Sequence, residues 1–256
     1  MLCSMNTSYT LITGASSGIG AACAEHIAAL GRNLILIARR EEKLEAIKQQ
    51  LETEHGIKVL TYKVDLLKVE EIDALFTKVK DKQIDVLVNS AGGAWGATDF
   101  ESNAWEDFNT MIDLNIKAFT KVTHLAVPFI KETKGHIFNI SSVAGIEAYE
   151  GGSVYCGTKA FVKMLSKALR IDLMGTGVRV TDIGPGAVDT EFSTVRYKGD
   201  KNAADAVYKG YTPLYAVDIA NAITYALQQP NSVNVDTINI MPTAQASARR
   251  IHKDQS

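Results

Sequence analysis

The chain of 256 residues holds only three cysteines, Cys3, Cys23 and Cys156, widely spaced and odd in number. No CxxC pair or Cys/His cluster accompanies them, which argues against both a disulfide framework and a metal site, and a reducing cytoplasm fits such usage. An excess of either charge is also missing. Lysine and arginine number 27 against 29 aspartate and glutamate, a formal net charge of −2, so there is no broad attraction for a phosphate backbone or an anionic lipid surface. No local basic patch compensates, and neither nucleic acid nor membrane is an expected partner. Long apolar runs are absent as well: no stretch approaches the roughly 18 to 20 residues that span a bilayer. Residues 1–8 lack the basic start and apolar core of a secretion signal. A soluble cytoplasmic protein is expected.

What is present is a hydrophobic fraction of 46% beside 22% charged residues, enough for a substantial core. Short apolar, β-rich runs alternate with longer segments of helical period, the pattern of parallel strands joined by crossover helices. Strands are predicted near 9–14, 33–39, 59–65, 85–90, 135–141, 178–183 and 237–240, and helices near 18–30, 42–54, 69–80, 105–132, 154–174 and 217–228. Leu44, Ile47 and Leu51, like Ile72, Leu75, Phe76 and Val79, are spaced to give each helix one buried stripe. No repeat, low-complexity tract or linker divides the chain. The expected fold is therefore α/β: a single doubly wound domain over 1–256, with a seven-stranded, mainly parallel sheet and helices on both faces. Segment 187–213, polar, Gly-containing and aromatic, interrupts the alternation just beyond a strand end. Ligands of open α/β sheets bind there, so this excursion is a candidate lid.

Thr13-Gly14-Ala15-Ser16-Ser17-Gly18-Ile19-Gly20 joins the first predicted strand to the first helix. Missing side chains at Gly14, Gly18 and Gly20 permit a tight turn and let a pyrophosphate approach the helix-terminal N–H groups. At the end of the second strand, an acidic residue would bind a ribose 2′-hydroxyl and repel a 2′-phosphate. Here Ala38 takes that place, followed by Arg39 and Arg40. Guanidinium pairs well with phosphate, which favours NADP(H), with Arg39 the principal contact and Ser16 a helper. Further along, Tyr155 and Lys159 are four apart and share one helical face. A phenol has a pKa of about 10, and a neighbouring ammonium and an oxidised nicotinamide both favour its ionised form. Such a pair is a tunable acid/base.

The glycine turn together with Tyr155-Cys156-Gly157-Thr158-Lys159 resembles the short-chain dehydrogenase/reductase family, a Rossmann-type fold, and the likeness continues over nearly the whole chain. It implies that Ser142, thirteen residues before Tyr155 in Ser141-Ser142-Val143-Ala144-Gly145, is the catalytic serine, with Ser141 the local alternative. Asn115, in Asp113-Leu114-Asn115-Ile116, matches the family asparagine that helps hold a water linking the lysine to solvent. Ser16, Ser17 and Ile19 belong to the cofactor turn. Asp65 matches the adenine contact, and Asn89-Ser90-Ala91-Gly92 resembles the family's N-N-A-G turn with serine in place of the second asparagine. Asn89 would tie strands together while Ala91 and Gly92 let the cofactor pass. Pro185-Gly186-Ala187-Val188-Asp189-Thr190 resembles the segment that holds the nicotinamide carboxamide, with Gly184 where asparagine is frequent. The implied reaction passes a hydride between nicotinamide C4 and a carbonyl carbon, while Tyr155 gives the proton, Ser142 donates a stabilising hydrogen bond, and Lys159 lowers the tyrosine pKa and holds the nicotinamide ribose. No metal is needed.

Residues 190–200, 211–214 and 241–246 look like the NADP-dependent 3-hydroxy acid dehydrogenase subgroup. Its members act on serine, allo-threonine, 3-hydroxyisobutyrate or 3-hydroxypropionate and reduce malonic semialdehyde. Such a small-molecule acid needs a cation, and Arg196 in the lid segment is the candidate, with Lys198 the weaker one. A reductase for a larger substrate, such as an acyl-thioester, steroid or diketone, and a catalytically silent dinucleotide-binding regulator remain as alternatives. The family resemblance also implies a homotetramer built through the helices around Asn115 and Tyr155.

Overall fold

Side chains of a strand alternate across the sheet, so a run such as Leu34-Ile35-Leu36-Ile37, apolar at every position, needs cover on both faces. The computed structural model, which describes residues 7–254, supplies that cover. In chain order the elements are β1 (Tyr9–Thr13), α1 (Gly18–Ala28), β2 (Asn33–Ala38), α2 (Glu41–His55), β3 (Val59–Lys63), α3 (Val69–Lys78) and β4 (Ile84–Asn89). There follow α4 (Trp105–Ile112), α5 (Phe119–Thr133), β5 (His136–Ile140), α6 (Ser153–Asp172) and β6 (Arg179–Pro185). The last third holds β7 (Val188–Asp189), α7 (Glu191–Arg196), α8 (Lys201–Ala206), β8 (Leu214–Tyr215), α9 (Ala216–Leu227) and β9 (Thr237–Ile240).

Among the described residues the main sheet has seven strands in the order β3-β2-β1-β4-β5-β6-β9, every neighbouring pair parallel. Leu34 and Leu36 pack with Ile27, Leu44, Leu51, Ile219 and Ile223 of α1, α2 and α9. Ile35 and Ile37 point the other way, into Ile72, Leu75, Val122 and Ile130 of α3 and α5. The doubly wound expectation holds, and the stripes read from α2 and α3 are buried except at Ile47, which is partly buried.

One expectation changes. The single helix expected over 105–132 runs on in one direction but widens into a π turn at Asp113–Ala118 between α4 and α5, and this turn carries the buried Asn115. Such insertions concentrate at functional sites. The excursion after β6 forms α7, α8 and a small two-stranded ribbon in which Val188 pairs with Leu214. Beyond β9 the tail folds back, with Asp254 N–H donating to Gly210 O at 2.7 Å. Cys23 and Cys156 are buried free thiols, and Cys3 lies outside the described residues. No helix among the described residues is long and apolar enough to cross a membrane.

Candidate active site

The strand order reverses between β1 and β4, and at such a switch point the crevice beyond the strand ends receives ligands. β1 stops at Thr13 and the chain must turn at once. Gly14 and Gly18 do so with φ of +68° and +53°, a region that L side chains rarely enter. A Cβ on Gly20 would lie 2.4 Å from Gly14 O, so the turn closes only with glycine there. The Thr13 hydroxyl locks it to the neighbouring turn by accepting from Ser90 N at 3.1 Å and Ala91 N at 3.0 Å, a tie that spacing alone does not reveal. α1 starts with no side-chain cap bond and no acidic residue in its first turn. Its orphan N–H groups and positive end are therefore suited to an anion.

A cavity of about 450 Å³ opens over this turn, within the range of small-molecule sites. Of the expected cofactor contacts, Gly14, Ser16, Ser17, Gly18, Ile19, Arg39, Arg40, Asp65, Ala91, Gly92 and Thr190 line it. Gly20, Asn89, Tyr155, Lys159, Pro185, Gly186 and Val188 do not. Asn89 is a brace, donating to Asn139 Oδ1 and Thr123 Oγ1, both at 2.9 Å. A Cβ on Gly186 would meet Gln245 Oε1 at 2.5 Å, and the same oxygen accepts from Ala187 N at 2.8 Å. A glycine cradle, an uncapped helix start and two cations make a set that fits a dinucleotide with an added phosphate.

The two arginines differ. Arg39 is exposed, and among the described residues it has no hydrogen bond or ion pair. Arg40 is built into the turn: its Nε donates to Ser16 Oγ at 3.2 Å and its Nη2 to Ser17 Oγ at 2.6 Å. Its Nη1 reaches Glu191 of α7 at 2.7 Å. The order of importance expected from sequence, Arg39 before Arg40, is not visible in the geometry, because only the fold shows which side chain bends back to the serines.

Tyr155, Ser142 and Lys159 converge at the ends of β5 and β6. Ser142 Oγ accepts from Ala144 N at 3.1 Å and donates to Pro185 O at 3.3 Å. Ser141, the alternative, is turned to β6, donating to Ile183 O at 3.2 Å. Lys159 Nζ donates to Ile140 O at 2.9 Å and lies 5.8 Å from the Tyr155 ring centroid. A Cβ on Gly92 would come within 3.4 Å of this ammonium, which marks the cavity wall nearest to it. Asn115 Oδ1 accepts from Gly93 N at 3.0 Å, while its Nδ2 donates to Gly93 O at 2.8 Å and Thr158 Oγ1 at 3.1 Å. The π turn thus fastens the 90–93 turn to the helix of Tyr155 and Lys159.

Burial raises the Tyr155 pKa well above that of a free phenol; the Ser142 hydroxyl and the Arg196 guanidinium pull it back only in part. Burial also pushes Lys159 down to about 8, against a partial restoring pull from Asp182. Two cations flank the phenol, Lys159 Nζ at 5.8 Å and the Arg196 guanidinium at 6.0 Å from its ring centroid, and desolvation outweighs the pull of charge on its proton.

Arg196, at the end of α7, lies 6.0 Å from the Tyr155 ring centroid and 5.3 Å from that of Tyr149. Its Nη1 donates to Tyr149 Oη at 2.8 Å and its Nη2 to Gly151 O at 3.2 Å. Its Nε is buried without a partner. Phe192, one turn earlier, packs on Tyr155 at 5.5 Å between ring centroids and also lines the cavity. Lys198, by contrast, pairs with Asp107 at 2.7 Å. The contacts of Tyr149 and Phe192 had no signal in the sequence, since a single aromatic announces no partner.

Residues 8–201 match the short chain dehydrogenase family. Sulfoacetaldehyde reductase 2 of Chromohalobacter salexigens is 41% identical over 249 residues, covering 95% of this chain and 98% of the relative. The NADP-dependent 3-hydroxy acid dehydrogenase of Schizosaccharomyces pombe is 39% identical over 250 residues, covering 96% of each. The closed form of a serine dehydrogenase complexed with NADP+ superposes with a TM-score of 0.88 at 38% identity, covering 96% of this chain and 100% of that one. Matched from the glycine turn through the tyrosine and lysine and into the segment after β6, the chain belongs to the short-chain dehydrogenase/reductase family and is an oxidoreductase acting on CH–OH groups.

Proposed function

We propose that this enzyme uses NADP(H) to interconvert a small 3-hydroxy acid with its carbonyl counterpart: serine, allo-threonine, 3-hydroxyisobutyrate, or 3-hydroxypropionate with malonic semialdehyde. The observation that carries this reading is Arg196, a guanidinium beside the Tyr155 phenol with a buried Nε that lacks a partner. A buried unpaired donor is costly, and a substrate anion would satisfy it. The relative named for sulfoacetaldehyde widens the acid to a sulfonate of similar shape.

In this reading the cofactor, when bound, supplies or accepts the hydride. Tyr155 exchanges the proton with the substrate oxygen and Ser142 donates to that oxygen. Lys159 carries positive charge at the foot of the phenol, and Asn115 holds the backbone around it through Gly93 and Thr158. Segment 187–213 acts as the lid: α7 brings Phe192 and Arg196 over Tyr155 and so excludes water. The exposed Met164 and Ile171 of α6, seven apart on one face, support pairing with a second copy, one of the contacts that the expected homotetramer needs.

The reading is tested by following NADPH absorbance with the four hydroxy acids, sulfoacetaldehyde in reverse, a 1,3-diketone and a steroid. The acids or the sulfonate are expected to give the highest kcat/KM; a clear preference for the diketone or steroid would sink it. Arg196→Met is expected to raise KM for the acids by about 10- to 100-fold, the loss of a charge-assisted hydrogen bond, and to spare the diketone. Arg40→Leu is expected to weaken NADPH about 10- to 100-fold and NADH less than about threefold by fluorescence titration, and equal losses would count against a phosphate contact.

A further inference from the structure

We propose that Glu191 is an internal occupant of the subsite for the cofactor's added phosphate, a lid carboxylate that this phosphate must displace. The inference rests on the NADP reading above and deepens it. Glu191 opens α7, next to Thr190, whose side chain lies 3.4 Å from where a Gly18 Cβ would be; the segment therefore lies directly on the glycine turn. From there one carboxylate oxygen takes Arg40 Nη1 at 2.7 Å and the other takes Lys43 Nζ at 2.9 Å. The Ser17 hydroxyl also favours the ionised carboxylate. Together these donors hold the Glu191 carboxyl down to about 2.

Two cations and a hydroxyl gathered on one oxyanion at the end of β2 are what a ribose 2′-phosphate would seek. Arg40 has little left to give, because Nε and Nη2 are committed to Ser16 and Ser17 and Nη1 to Glu191. A phosphate of charge near −2 bids for the same donors more strongly than a carboxylate of −1, and its arrival releases the first residue of α7. A nucleotide without that phosphate leaves the carboxylate in place. Glu191 thus holds down affinity for the phosphorylated cofactor and couples its entry to the mobility of the segment over Tyr155.

The test is calorimetric titration of wild-type protein and Glu191→Gln with adenosine 2′,5′-bisphosphate and with 5′-AMP, neither of which carries a nicotinamide. The side chain is half exposed, so the amide leaves the fold intact. Two exposed ion pairs of this kind correspond to roughly a three- to tenfold change, and the variant is expected to bind the bisphosphate that much more tightly while AMP affinity stays constant. Unchanged or weaker bisphosphate binding would overturn the inference, since the carboxylate would then be indifferent to the phosphate or a clasp over it; equal tightening of AMP would do the same. Wild-type protein that fails to prefer the bisphosphate over AMP would instead remove the NADP reading itself.

Discussion

Tyr155→Phe is expected to lower turnover by about three orders of magnitude, in line with the loss of a general acid, while NADPH binds nearly as before. The phenol is 8% exposed and its ring is packed by Phe192, so phenylalanine keeps the packing and removes only the hydroxyl. Burial holds the phenol's proton on at neutral pH, which suits donation to a carbonyl oxygen; in the reverse direction the same hydroxyl must lose that proton. Oxidation of the hydroxy acid is therefore expected to accelerate toward alkaline pH and carbonyl reduction not to. Stopped-flow titration of NADPH alongside steady-state rates at several pH values checks both. Wild-type turnover in the variant would remove Tyr155 from the chemistry.

Lys159→Met is expected to abolish measurable turnover and to change how stability depends on pH. An ordinary lysine titrates near 10.5, and Lys159 is pushed down to about 8. Between those values the unfolded chain binds more protons at this position than the folded one, so the lysine's contribution to stability rises with pH across that window. Methionine cannot titrate. Denaturant unfolding of the nucleotide-free protein should therefore move in favour of wild type, relative to Lys159→Met, by on the order of 2 kcal/mol between pH 7 and pH 10. Taking the difference cancels the buried Cys23 thiol, which is raised to about 12 and works in the opposite sense. A gap between the two proteins that stays flat across this range would mean that Lys159 is not desolvated in the folded state.

The glycine turn and the Tyr155–Lys159 pair were legible because each is local. One depends on backbone angles open to glycine, the other on the four-residue period of a helix. The seven strands were legible for the same reason, since apolar runs such as Leu34–Ile37 declare burial on both faces. The π turn at Asn115 was not, because the strong apolar period of 105–132 hides one extra residue in a turn. Nor could the sequence rank two adjacent arginines, when the difference is that Arg40 folds back 24 positions onto Ser16. Arg196 could be named as a lone cation in an unusual segment, but its contact with Tyr149, 47 residues away, could not.

The sequence by itself therefore determined the architecture, the glycine turn after β1 and the placing of Tyr155 and Lys159 one helical turn apart, the last two being set within a few residues along the chain. The tertiary structure decided which cations surround the phenol, which arginine is built into the turn, and that Glu191 already holds the donors a phosphate would use. Those outcomes depend on desolvation and through-space charge, and both arise only when segments distant in the chain are brought into contact.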